Sequence, residues 1–127
     1  MRQNTSSAYA AYVAEVQRRK EEREKARVEF HNFIDREKRR RKKEGILKNK
    51  TVCFSHPLEE SLSVSKPLAA ALFAAGGFYG FRAEECDYYV CLGEESGPRI
   101  KSAASRGARI LTHEEFAALT ARDSVRG

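Results

Sequence analysis

The chain has no tryptophan, a single methionine and three prolines in 127 residues. No apolar run approaches the ~18 residues that a membrane-spanning helix requires, and no membrane contact is expected. Its three cysteines, Cys53, Cys86 and Cys91, have neither a Cys-x-x-Cys spacing nor a nearby histidine pair. That scatter argues against a disulfide framework and a zinc site, and fits reduced, buried thiols of an intracellular, non-secreted protein. Also missing are a glycine-rich nucleotide loop, paired catalytic carboxylates and a Cys/His dyad at a meaningful spacing. The expectation is a protein without catalytic residues, metal, cofactor or small-molecule substrate. The first 14 residues hold no acidic residue but only one arginine, a thin basis for a cleavable presequence. Nuclear, mitochondrial and cytoskeletal locations all stay open.

Glycine and proline are absent from Ser7 to Glu44, where Ala, Glu, Lys and Arg dominate. Summed over so many residues, that composition predicts one long helix, capped by Ser6 or Ser7 and ended by Gly45. Its apolar residues form two stripes at helical spacing. Tyr9, Tyr12, Val13 and Val16 make the first; Ala26, Phe30, Phe33 and Ile34 make the second. Between them "QRRKEEREK" is polar, and its charges pair at i+3 or i+4, each pair adding ~0.2–0.5 kcal/mol. Sustained heptads are missing, so the stripes read as two separate docking patches. The first is assigned to a partner, the second to a partner or to the protein's own body.

Charge divides the chain as sharply. Residues 1–50 carry 16 Lys/Arg against 8 Asp/Glu, whereas residues 51–127 carry 8 against 10. The densest basic run, "REKRRRKK", contains Arg36, Lys38, Arg39, Arg40, Arg41, Lys42 and Lys43. On a helix these cations point all round, suited to nonspecific contact with RNA, DNA or an acidic protein lattice. The same run also reads as a nuclear-import signal or a solubilising surface. The division predicted is a basic helical arm over 1–45, a folded domain over 46–121 and a tail over 122–127.

In the second half, short apolar runs alternate with helices. "TVCF", "FYGF", "YYVCL" and "ARIL" read as strands. Ser65 and Pro67 open a helix closed by Gly76-Gly77, with Leu68, Ala71, Leu72 and Ala75 buried. Pro98 to Gly107 gives a shorter helix with Ile100, Ala103 and Ala104 inward, and "THEEFAAL" starts on a capping box, Thr112 with Glu115. The order implies an α/β domain with a small, mostly parallel sheet covered on both faces. His31 and His113 lie among polar helix formers and read as solvated.

Four features in sequence order, "AAGG", "CDYYV", "GEESG" and "RGARILTHEEFAAL", resemble a BRCT domain over roughly residues 49–120. The similarity is greatest to the type in bacterial NAD-dependent DNA ligases and in the large subunit of the eukaryotic clamp loader. The resemblance implies a four-stranded parallel sheet between helices, and a binding role toward proteins, phosphopeptides or DNA ends. It also implies a phosphate pocket at Ser55, the His56 amide and Arg99. His56 replaces the family's glycine there, and Phe116 is expected to fill the space of a tryptophan that many members carry. Arg99 and Lys101, cations in a helix's first turn, are disfavoured by its dipole unless an anion binds or Glu94 and Glu95 neutralise them.

Two functional expectations follow. One is a scaffold or adaptor in a large complex, its basic helix anchored to a polyanionic assembly such as a ribonucleoprotein or the acidic surface of microtubules. The other is a DNA repair or replication module that holds DNA ends or phosphopeptides through Ser55, His56 and Arg99.

Overall fold

The computed structural model describes the backbone of residues 2–126 and the side chains of residues 7–122. Its first element, α1, spans Arg2–Glu37. The expected cap at Ser6 or Ser7 therefore lies inside the helix, and the Ser6 side chain falls outside the described residues. The elements that follow are β1 (Thr51–Phe54), α2 (His56–Glu60), α3 (Leu62–Ala74), β2 (Phe78–Tyr79), β3 (Tyr88–Cys91), α4 (Pro98–Arg106), β4 (Arg109–Thr112) and α5 (His113–Arg126). The expected tail from residue 122 thus continues α5 as far as Arg126.

The four strands form one parallel sheet in the order β2-β1-β3-β4. Side chains alternate across it, as the two-residue period of a strand requires. Val52, Phe54, Val90 and Leu111 face the larger core with Leu58, Leu72, Phe73 and Phe116. Cys53, Tyr89 and Cys91 face the other side and pack with Ala83, Cys86 and Ala103. All three cysteines are free and buried. Phe116 is fully buried, its ring 6.1 Å from Phe54. The Thr112–Glu115 capping box forms as read: Glu115 N–H donates to Thr112 Oγ1 (3.1 Å) and Thr112 N–H to Glu115 Oε1 (2.9 Å). Ala104, expected inward, is exposed.

The core ignores the boundary expected at residue 45. Phe30 is fully buried and Ile34 nearly so. The Phe30 ring lies 5.7 Å from Phe54 and 5.4 Å from Tyr79. Ion pairs Arg27–Glu60 (3.3 Å) and Lys66–Glu29 (3.0 Å) flank this seam. The last third of α1 is a core helix of the body. By contrast residues 7–25 are exposed apart from half-buried Glu15, a stretch about 28 Å long at ~1.5 Å per residue. Its polar middle pairs as predicted, Arg18 with Glu22 at 2.6 Å and Arg19 with Glu15 at 3.0 Å.

The helix ends at Glu37, not at Gly45. A single 3-10 turn, Lys38–Arg40, follows, and the chain then spends its hydrogen bonds on the end of α3. Lys42 N–H donates to Phe73 O and Leu47 N–H to Ala75 O, both at 2.9 Å. These bonds satisfy carbonyls that a helix end leaves unpaired. Gly45 makes the crossing feasible: a Cβ there would sit 2.1 Å from the Ala75 oxygen.

Candidate functional site

Ser55 stands where β1 passes into α2. Its N–H bonds Val90 O (2.9 Å), continuing the strand pairing. Its hydroxyl oxygen accepts the Leu58 N–H at 3.3 Å, which makes it the N-cap of α2. Pro57 needs no hydrogen-bond partner in that first turn, so it starts a helix instead of stopping the chain. Ser65, read as a cap, is instead buried within α3.

The Ser55 hydroxyl hydrogen goes to Glu95 Oε2 at 2.9 Å, and the same oxygen accepts the Leu92 N–H at 2.8 Å. Charge-assisted bonds of this kind are stronger than neutral ones. A carboxylate of the chain itself thus holds the donor that a phosphate oxygen would need. Ser55 is fully buried beneath it.

His56 and Arg99 line a cleft of about 350 Å³ beside Glu95 and Tyr89. Arg99 reaches across the sheet's edge and donates to Phe54 O (3.1 Å), Phe81 O (3.4 Å) and the Cys53 sulfur (3.2 Å). Among the described residues no ion pair joins it to Glu94 or Glu95, the neutralising partners in one of the two alternatives read from the sequence. Burial, aided by the Arg99 charge, lowers the His56 pKa below its usual 6.5, so at neutral pH the imidazole adds no positive charge. His56 is not in the left-handed region; Asn49 is the described non-glycine residue with positive φ. The structure therefore brings Ser55, His56 and Arg99 to one corner, with the Ser55 hydroxyl and the two Arg99 Nη groups bonded internally and the buried Arg99 Nε without a partner among the described residues.

The basic run lies elsewhere. Because the helix ends at Glu37, only Arg36 of the run lies on α1; Lys38–Arg40 form the 3-10 turn, and Arg41–Lys43 follow it against the body. Lys38 pairs with Asp35 (2.8 Å) and Arg40 with Glu37 (3.7 Å). Arg41 turns inward: its Nη1 donates to Lys42 O and Gly76 O, both at 3.1 Å, and its guanidinium lies 4.1 Å over the Phe78 ring. Arg36, Arg39, Lys42 and Lys43 are exposed. Among the described residues, Arg36, Arg39 and Lys43 have no carboxylate within ion-pair distance.

Of the predicted docking residues, Tyr9 and Tyr12 are 69% and 67% exposed, and Val13 and Val16 are also open. Phe30 and Ile34 are not available to a partner, since they complete the chain's own core. Phe33 packs against that core with the Lys66 ammonium 5.7 Å from its ring.

Sequence reasoning missed a polar network beneath α1. The Glu59 carboxylate, 2% exposed, accepts the Tyr79 hydroxyl and approaches His31 Nε2 at 3.5 Å. Burial, then the Glu59 charge, push the Tyr79 pKa well above 10. His31 is only partly solvated, its ring set edge-on to Phe30 and Phe81. A hydrogen bond with Cys86, and burial, push the Cys53 thiol pKa upward. The one sequence signal for this region is the aromatic density of "FYGF".

Among the described residues, no helix is long and apolar enough to cross a membrane, and no His/Cys/Asp/Glu group is placed to hold a metal ion. Comparisons with protein-family models, curated proteins and solved structures give no match to this chain.

Proposed function

We propose that the chain is a BRCT-like, non-enzymatic adaptor, anchored to a large polyanionic assembly by the basic turn that ends α1. The four-stranded parallel sheet with helices on both faces is consistent with what the resemblance implies. One observation carries the reading. Arg36 in the last turn of α1 and Arg39, Lys42 and Lys43 in the segment after it are exposed and make no ion pair among the described residues, and Lys42 N–H to Phe73 O pins that segment to the body. With its backbone already pinned, the segment loses little main-chain freedom when its cations meet phosphates or acidic side chains. The Tyr9–Val16 stripe, on a helix reaching away from the body, supplies a protein contact within the same assembly.

The second reading, a phosphate-reading module, keeps His56 and Arg99 beside one cleft but finds Glu95 on Ser55. The two separate in one binding experiment with a 5′-phosphorylated DNA duplex and a phosphoserine peptide. Under the adaptor reading, Arg99→Ala leaves duplex affinity within about twofold, whereas Arg39→Gln/Lys42→Gln/Lys43→Gln lowers it at least tenfold at low salt. A large loss with Arg99→Ala, and little with the triple variant, would establish the phosphate module instead.

A further inference from the structure

The face of the body next to the basic turn carries a second feature that the polyanion reading leaves unused. Two of the exposed large apolar side chains, Phe78 and Phe81, stand at 43% and 46% exposure on the outer edge of the sheet. They line one groove of about 350 Å³ with Ile34, Tyr79, Lys38 and Arg41. Exposing two phenylalanines forgoes burial that would stabilise the fold, and a groove of aromatic rings with cations at its rim is unusual on a surface with nothing to bind.

From this groove we infer that the protein binds single-stranded nucleic acid, with unstacked bases on the Phe78–Phe81 edge and phosphates along the Arg39–Lys43 turn. The inference rests on the polyanion reading and adds the class of polyanion. A single strand alternates planar rings and anionic phosphates, and the protein presents matching parts side by side. The Arg41 guanidinium stacks 4.1 Å over one face of Phe78, so a base on that side would stack on the outer face of the guanidinium plane, backed by the ring. Among the described residues, only Arg41 Nη1 is used by carbonyls and no carboxylate pairs with the guanidinium, which leaves donors for a phosphate. Asp35, the one acid among the described residues lining the groove, pairs with Lys38 at 2.8 Å.

An acidic peptide fits less well. It would use the cations but not the rings. Added as an extra strand at this edge it would gain few main-chain bonds, because β2 is two residues long. Duplex DNA also fits less well, since its bases are stacked and cannot reach the rings.

The test uses the full chain and three labelled probes, read by fluorescence anisotropy: a mixed-sequence 12-nucleotide RNA, the same backbone without bases, and a polyglutamate peptide of equal charge. The wild type should bind the RNA at least tenfold more tightly than either other probe. Phe78→Ala and Phe81→Ala should each weaken RNA binding about five- to tenfold, leaving the abasic probe unchanged and thermal unfolding cooperative. Equal binding of RNA and abasic backbone overturns the inference even if a variant fails to fold, and leaves the polyanion reading standing. Polyglutamate bound as tightly as RNA also overturns it, in favour of an acidic protein partner. Binding to none of the probes overturns both.

Discussion

The Ser55 hydroxyl donates to the Glu95 carboxylate at 2.9 Å, and through that bond the chain holds its own anion at the end of β1. Glu95 also takes the Leu92 N–H, so it closes the turn between β3 and α4. Replacing Glu95 by Ala removes two bonds to a charged acceptor and should cost about 1.5–3 kcal/mol of stability, measured by urea unfolding. Glu95→Gln should cost less. A neutral Glu95→Ala would mean that the carboxylate is not seated on Ser55 in solution.

The C-terminal third of α1 belongs to the body and the rest does not. Phe30→Ala should therefore destabilise the protein by about 3–5 kcal/mol, since Phe30 is fully buried among Phe54 and Tyr79. Tyr9→Ala and Tyr12→Ala should each change stability by less than about 0.5 kcal/mol. Deleting residues 1–20 should leave a folded protein, and deleting residues 1–45 should not. A well-folded 46–127 fragment would restore the separable arm expected from charge alone.

Alkaline stability should be governed partly by Tyr79. Its folded pKa is raised well above 10 by burial and by Glu59, so the folded state keeps a proton that the unfolded state loses. Its contribution is complete below pH ~10 and is lost as pH rises toward the folded pKa, with a slope of about 1.4 kcal/mol per pH unit for one proton. The Cys91 thiol, pushed up to about 11 by burial, acts in the same direction. In Tyr79→Phe, stability at pH 7 should fall by about 1–3 kcal/mol, and the slope above pH 10 should shrink by one proton. An unchanged slope would contradict the burial of that hydroxyl.

His56 gives the opposite case at the acid side. Its pKa is lowered by burial and by Arg99, so below pH ~6.5 the unfolded chain binds a proton that the folded one resists. Stability declines as pH falls through that window. In an NMR titration His56 should have a midpoint below 6.5; a midpoint above it would point to a carboxylate or bound anion beside the ring.

What was legible in the sequence was mostly local. The capping box needs only Thr112 and Glu115, three residues apart, and the parallel sheet follows from alternating strands and helices. What the sequence hid depends on distant partners. The stripes at Tyr9–Val16 and Phe30–Ile34 have the same spacing, yet only the second meets a sheet. Composition carried the helix past Glu37 because nothing local shows that residues 42 and 47 bond the end of α3. The short α2 was not legible because the Ser55 cap and its five residues are too few to leave a periodicity. That Ser55, His56 and Arg99 share one corner was legible as a set of positions, but not the Glu95 side chain folded onto Ser55.

The central claim is that the fixed basic turn binds a polyanion, and the most direct measurement is the salt dependence of that binding. For a single-stranded RNA, log K against log salt should fall steeply for the wild type. The slope should become shallower by roughly 2 in Arg39→Gln/Lys42→Gln/Lys43→Gln, which removes three phosphate contacts. A slope identical in the two proteins would contradict the account.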